Sequence, residues 1–173
     1  MNVLFVSNLF PDTTEPGRGI YNARLVRHLA AHCDIRVVSP RPALPFLGAG
    51  DRRPQADDVS FKPAFPIARY IPKIGSLFNH RLMARSLRGV LQRLREEFAF
   101  DVVLASWLYP DACAVSLLAR EMEFPFVAIA QGSDAHQYLD IPPRRKIMTD
   151  CLAGASAIVT RSAELARLIS DAG

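Results

Sequence analysis

The run Phe126-Val-Ala-Ile-Ala130, with Pro125 before it and Gly132-Ser133-Asp134 close behind, constrains the fold more than any other stretch. A continuous apolar run without alternation forms a strand buried on both faces, the kind found in a parallel sheet. In open α/β sheets, ligands bind outside the carboxyl ends of the strands, where the connecting loops leave a crevice. The polar cluster falls at that end. Gln131, Ser133, Asp134 and His136 each carry hydrogen-bonding groups suited to a polyhydroxylated ligand, and Gly132 lets the backbone approach one closely. The same residues also fit a turn in which Ser133 or Asp134 caps a local helix.

Similar apolar runs recur at Asn2 to Ser7, Ile35 to Ser39, Asp101 to Ala105 and Ala157 to Thr160. Helical spacing separates them. Gly19 to His32 places Tyr21, Leu25, Val26 and Leu29 toward the sheet, and about Ser76 to Phe98 places Leu87, Val90, Leu91, Leu94 and Phe98 on one face. Further helices are predicted over Asp111 to Met122, Pro143 to Leu152 and Ala163 to Ala172. Arg41 to Ile71 is irregular and proline-rich, with Val59 to Phe65 as an edge strand. Strands alternating with helices give an α/β fold, a doubly wound parallel sheet. At 173 residues the chain is one domain with room for a proper core.

Several function classes are disfavoured. No apolar run approaches the ~20 residues of a spanning helix, and no basic region precedes the first strand, so no signal peptide is expected. Cys33, Cys113 and Cys151 are odd in number and far apart, as free thiols of a reducing compartment would be. Gly17 and Gly19 give part of a dinucleotide fingerprint, but Asn22 replaces the third glycine. These glycines also lie well beyond the strand, and Ser39 and Pro40 stand where an acidic residue should. What remains is either a surface loop or a helix N-terminus whose free N–H groups and dipole favour an anion. Gly132-Ser133-Asp134 lacks the second glycine of a nucleophile elbow, which argues against a hydrolase triad. His28 and His32 share a helix face without a third ligand, so no metal site is expected. Trp107 and Tyr109 follow the Asp101 strand, where an aromatic ring either stacks on a sugar or base or covers the sheet edge.

The formal charge of +4 favours an anionic partner without naming one. Between Val59 and Arg95 there is no acidic residue, while Lys62, Arg69, Lys73, Arg81, Arg85, Arg88, Arg93 and Arg95 are basic. Ile71, Ile74, Leu77, Phe78, Leu82 and Met83 lie among them. The mixture describes an anionic membrane surface's partner or a solvated helix whose apolar side is core.

The joint order of these pieces resembles the N-terminal, Rossmann-like domain of family 4 retaining glycosyltransferases of GT-B fold. The pieces are Val3 to Ser7 with Pro11 and the Gly17-Arg18-Gly19 loop; Asp101 to Trp107 with Pro110; Pro125 to Val127 with Gly132 to Asp134; and Ala155 to Ser162 with Gly173. The resemblance implies an acceptor-side domain over residues 1–173. A separate C-terminal donor-binding domain, with its paired-glutamate motif, is missing from the sequence and would act as partner. It implies a nucleotide-sugar donor, a sugar or lipid-linked acceptor, no cofactor and no nucleic acid. Localisation would be cytoplasmic, peripheral at the inner face of the membrane. Many members carry histidine before the Gly-Ser-Asp, where this chain has Gln131. Gln131 and Asp134 are therefore the expected catalytic residues. Gly17, Arg18, Gly19, Trp107, Gly132, Ser133, His136 and Arg161 are the expected substrate-binding residues. A non-catalytic module that holds a glycan or protein partner in the same crevice is the alternative.

Overall fold

In the computed structural model the structure describes residues 1–44 and 59–172. The five predicted apolar runs form one parallel sheet. Its strands are β1 (Asn2–Val6), β2 (Asp34–Val38), β5 (Val102–Ser106), β6 (Phe126–Ala130) and β7 (Ala157–Thr160), in the order β2-β1-β5-β6-β7. A separate parallel pair joins β3 (Arg41–Ala43) to β4 (Ile67–Arg69). The helices are α1 (Ile20–Leu29), α2 (Asn79–Phe98), α3 (Cys113–Met122), α4 (Ser133–Leu139), α5 (Pro142–Leu152) and α6 (Ala163–Ala172).

Alternation along β1 explains how both faces are used. Val3 and Phe5 join Val26 and Ala23 of α1, with Ile35 and Val37 of β2, in one apolar cluster. Leu4 and Val6 point the other way, into a larger cluster with Leu87 and Leu91 of α2, Val115 and Leu118 of α3, and Phe126 of β6. Phe5, Leu4, Leu87 and Leu91 are fully buried. Each such side chain stabilises the fold by about 1.5–3 kcal/mol relative to an exposed one. On α1 the buried residues are Asn22, Ala23 and Val26; Tyr21 is only half-buried.

Three stretches depart most clearly from the sequence reading. Val59 to Phe65 is not a strand: Val59–Phe61 is a turn of 3-10 helix, and Ala64 makes a single bridge to Val38. Pro63 and Pro66 fix φ and remove N–H donors, so continuous pairing gives way until Ile67. The helix expected from Ser76 begins at Asn79, after a 3-10 turn over Lys73–Leu77. The Asn79 carboxamide is bonded to both the N–H and the carbonyl of Ile71, which ties that turn to the helix start. The loop after β6 becomes α4, the local-helix alternative. The central part of the irregular stretch, 45–58, and the end at 173 lie outside the described residues.

Candidate functional site

Parallel pairing brings the carboxyl ends of β1, β5, β6 and β7 to one edge. Each of the first three delivers a polar residue there: Ser7, Ser106 and Gln131. Val6 opposite Ala105, and Ser106 opposite Ile129, fix that alignment. Asn22, on the buried face of α1, completes the set. Its Nδ2 donates to Ser7 Oγ at 3.1 Å and to the Leu9 carbonyl at 2.7 Å, while its Oδ1 accepts from Ser106 Oγ at 2.9 Å. Gln131 Nε2 donates to Ser106 Oγ at 2.8 Å and to Asn22 Oδ1 at 3.4 Å. Arg161, just past β7, donates to Gln131 Oε1 at 3.3 Å, and its guanidinium lies 5.7 Å from the Tyr21 ring centroid. Ser7, Asn22 and Ser106 are fully buried. Gln131 is half-buried and Arg161 exposed. A buried network with its members bonded to one another is rigid. It orients Gln131 at the carboxyl edge of the sheet, where Arg161 bonds it from the solvent side.

Asp134 holds the loop. Its Oδ1 accepts from the N–H groups of Gln131 at 3.0 Å, Gly132 at 2.8 Å and Ala135 at 3.1 Å, and its Oδ2 accepts from Leu108 N–H at 2.8 Å. The carboxylate thereby joins the ends of β5 and β6 and satisfies donors at the α4 N-terminus. Gly132 sits at φ 121, inside the region that favours glycine.

A second carboxylate, Asp111, is fully buried beside β1's loop and accepts from Asn8 N–H at 2.9 Å and Asn8 Nδ2 at 2.6 Å. Burial raises its pKa to about 8, and the Asp134 charge pushes the same way, against the lowering effect of the Asn8 bonds. The loop after Asn8 is built by Asp12 and Arg41. Arg41 grips Asp12 Oδ2 through Nε at 3.0 Å and Nη2 at 2.6 Å, and also bonds Ser39 Oγ and the carbonyls of Asn8 and Phe10. Burial opposes ionisation of Asp12, but bonds from Thr14, Arg41 and Glu15 outweigh it and lower its pKa to about 2. Arg18 closes the loop from the other side, bonding the Asn8 carbonyl at 2.8 Å and Glu15 at 2.9 Å. Gly19 stands at φ 59 where α1 begins, and a Cβ there would lie 2.2 Å from the Leu9 carbonyl oxygen. Around Gly17 the space is open.

The structure thus brings Gln131, Gly132, Asp134, Trp107 and Arg161 to one edge, with Gly19 starting the helix that carries Asn22. Trp107 is half-buried at φ 91, its N–H bonded to the Ile129 carbonyl. Ser133 and His136 lie exposed on α4. Tyr109 is core: it is buried between the rings of His80 and Tyr138, with centroids at 5.6 and 5.5 Å. Sequence reasoning passed over Ser7, Asn22, Ser106 and Asp111. Asn22 left one signal, a polar residue on the face of α1 that also carries Val26. Among the described residues, no three metal-ligating side chains are grouped, and no helix is long and apolar enough to cross a membrane.

The fold, though not the site, can be compared with known proteins. The crystal structure of UDP-N-acetylglucosamine 2-epimerase matches with a TM-score of 0.55 at 15% identity, over 99% of this chain and 44% of that one. At that identity the likeness is one of fold. A relative named as a teichuronic acid biosynthesis glycosyltransferase, TuaC of Bacillus subtilis (strain 168), is 25% identical over 152 residues. That match covers 80% of this chain and 38% of the relative, so the chain spans less than half the length of either protein. The family model of the glycosyl transferase 4-like domain matches residues 17–173. With its parallel sheet and helices on both faces forming the Rossmann-like half of a GT-B architecture, the chain belongs to the glycosyl transferase 4-like domain family.

Proposed function

We propose that this chain is the acceptor side of a retaining glycosyltransferase. It would act with a C-terminal donor-binding domain to move a sugar from a nucleotide-sugar to an acceptor hydroxyl. One observation carries the reading: a buried Ser7–Asn22–Ser106 network fixes Gln131 beside Arg161 at the carboxyl edge of the sheet. Arg161 stabilises charge developing on the leaving diphosphate, because a preorganised cation costs no reorganisation during reaction. Gln131 offers hydrogen bonds but does not titrate, so it positions a hydroxyl, and the leaving phosphate oxygens take the proton. Asp134 acts as a positioning residue through the backbone of Gln131 and Gly132.

A second observation favours a membrane-surface setting at the cytoplasmic face. Ile67, Tyr70 and Leu77 are exposed apolar side chains standing among Arg69, Lys73, Arg81 and Arg85, a basic apolar mixture suited to anionic lipid.

The test is transfer itself. Purified 173-residue chain should transfer no sugar and bind nucleotide-sugars weakly, whereas the same chain joined to a family donor domain should turn over. Robust turnover by the chain alone overturns the division of labour. Glycan binding without transfer by the joined form supports a non-catalytic module instead.

A further inference from the structure

We infer that the groove between β4 and α2 is a subsite for a phosphate ester carrying an apolar segment, with the phosphate between Arg69 and Arg85. This rests on the acceptor-side reading above and names the chemistry of the acceptor. Two cavities meet at Arg69. The first, about 390 Å³, is lined among the described residues by Arg69, Leu82, Arg85 and Ser86. The second, about 140 Å³, is mostly apolar: Pro42, Ala68, Met83 and Pro110 form its wall, and Asn8 lies at the end toward the sheet's carboxyl edge.

The fold sets both arginines on one cavity. Ser86 Oγ donates to the Leu82 carbonyl at 2.9 Å and accepts from Arg69 N–H at 3.3 Å, which fastens Arg69 of β4 against the turn of α2 that carries Arg85. Like charges on one cavity repel, and nothing among the described residues offsets them. Among the described residues no carboxylate lines the cavity and neither arginine has an ion-pair partner, and the sequence from Val59 to Arg95 contains no acidic residue. Two other arginines of α2 are paired: Arg88 forks onto Glu121, and Arg95 bonds the Met122 carbonyl. A phosphate dianion between two guanidinium groups accepts charge-assisted, often bidentate, hydrogen bonds from both. The adjoining cavity takes the apolar segment, with its inner end at Asn8 and Pro110 beside the site.

Binding to the 173-residue chain tests this without any transfer assay, so its failure is separable from failure of the glycosyltransferase reading. Titration calorimetry compares monomeric dodecyl phosphate, inorganic phosphate and dodecyl glucoside. Dodecyl phosphate should bind more tightly than either of the others, and Arg69→Gln with Arg85→Gln should weaken it by about tenfold or more. Arg93→Gln, two turns further along α2, should leave binding unchanged. Ala68→Val, which narrows the apolar cavity, should weaken dodecyl phosphate and spare inorganic phosphate. Should that variant unfold, the arginine pair still decides. Equal loss with Arg93→Gln reduces the effect to general surface charge and overturns the subsite. Equal affinity for inorganic phosphate and dodecyl phosphate overturns the apolar half, and no binding of dodecyl phosphate overturns the whole.

Discussion

Gln131 Nε2 lies 2.8 Å from Ser106 Oγ, so the side chain at the end of β6 is held by the last residue of the neighbouring strand. Arg161 approaches the other end of the same carboxamide, at 3.3 Å from Oε1. A side chain bonded at both ends is oriented before any ligand arrives. In the enzyme completed with a donor domain, Gln131→Ala should slow transfer by about 2- to 10-fold, the effect of one lost hydrogen bond. Gln131→His, which keeps a donor and an acceptor, should be tolerated. Transfer rates measured beside melting temperatures check this, and an undiminished rate in Gln131→Ala removes the site from this edge.

Asp134→Asn replaces an acceptor-only carboxylate with a group that donates on one side. The Leu108 N–H, or the cluster of N–H groups from Gln131, Gly132 and Ala135, would then face a donor. The expected loss is about 1–3 kcal/mol of stability. Chemical denaturation of the isolated domain measures it.

The two glycines of the first loop should part company. Gly19→Ala forces a Cβ against Leu9 at a φ of 59 and should lower the melting temperature clearly, the backbone conformation alone costing about 1–2 kcal/mol. Gly17→Ala meets open space and should change little. Equal melting temperatures for the two variants would contradict the geometry.

Asp111 predicts an unusual pH dependence. Its folded pKa of about 8 stands above the 3.8 expected when unfolded, so the native state holds this proton more tightly. Its contribution is fully present below the unfolded value and is lost as pH rises through about 8. Asp111→Asn, neutral at every pH, should flatten this component between about pH 4 and about pH 8. Melting temperatures across that range, parent against variant, would show parallel curves if Asp111 does not carry it.

Liposome flotation addresses the face around Ile67, Tyr70 and Leu77. Binding to anionic vesicles should fall as salt rises, because exposed charges are screened. Equal binding to neutral and anionic vesicles, or none to either, leaves the basic region as an ordinary solvated surface.

The sequence by itself determined the strands of the main sheet, their alternation with helices, and the edge that carries Gln131, because apolar periodicity is local and reports burial directly. Gly19 was legible as the start of a helix, though not that its Cβ would strike Leu9. Tertiary structure alone decided what the polar residues do. Ser106 reads locally as the polar end of an apolar run, and Asn22 as a blemish on α1. They meet across 84 residues of chain only because β1 and β5 pair in parallel beneath α1. Asp134, expected at the chemistry, turned out to spend both oxygens on backbone N–H groups, one of them 26 residues away at Leu108. The pairing of β3 with β4 was equally hidden, since each strand is three residues long and too short for periodicity to register. Hydrophobic pattern measures how deeply a residue is buried, whereas a hydrogen bond depends on direction and distance, and those are set by the packing of elements far apart in the chain.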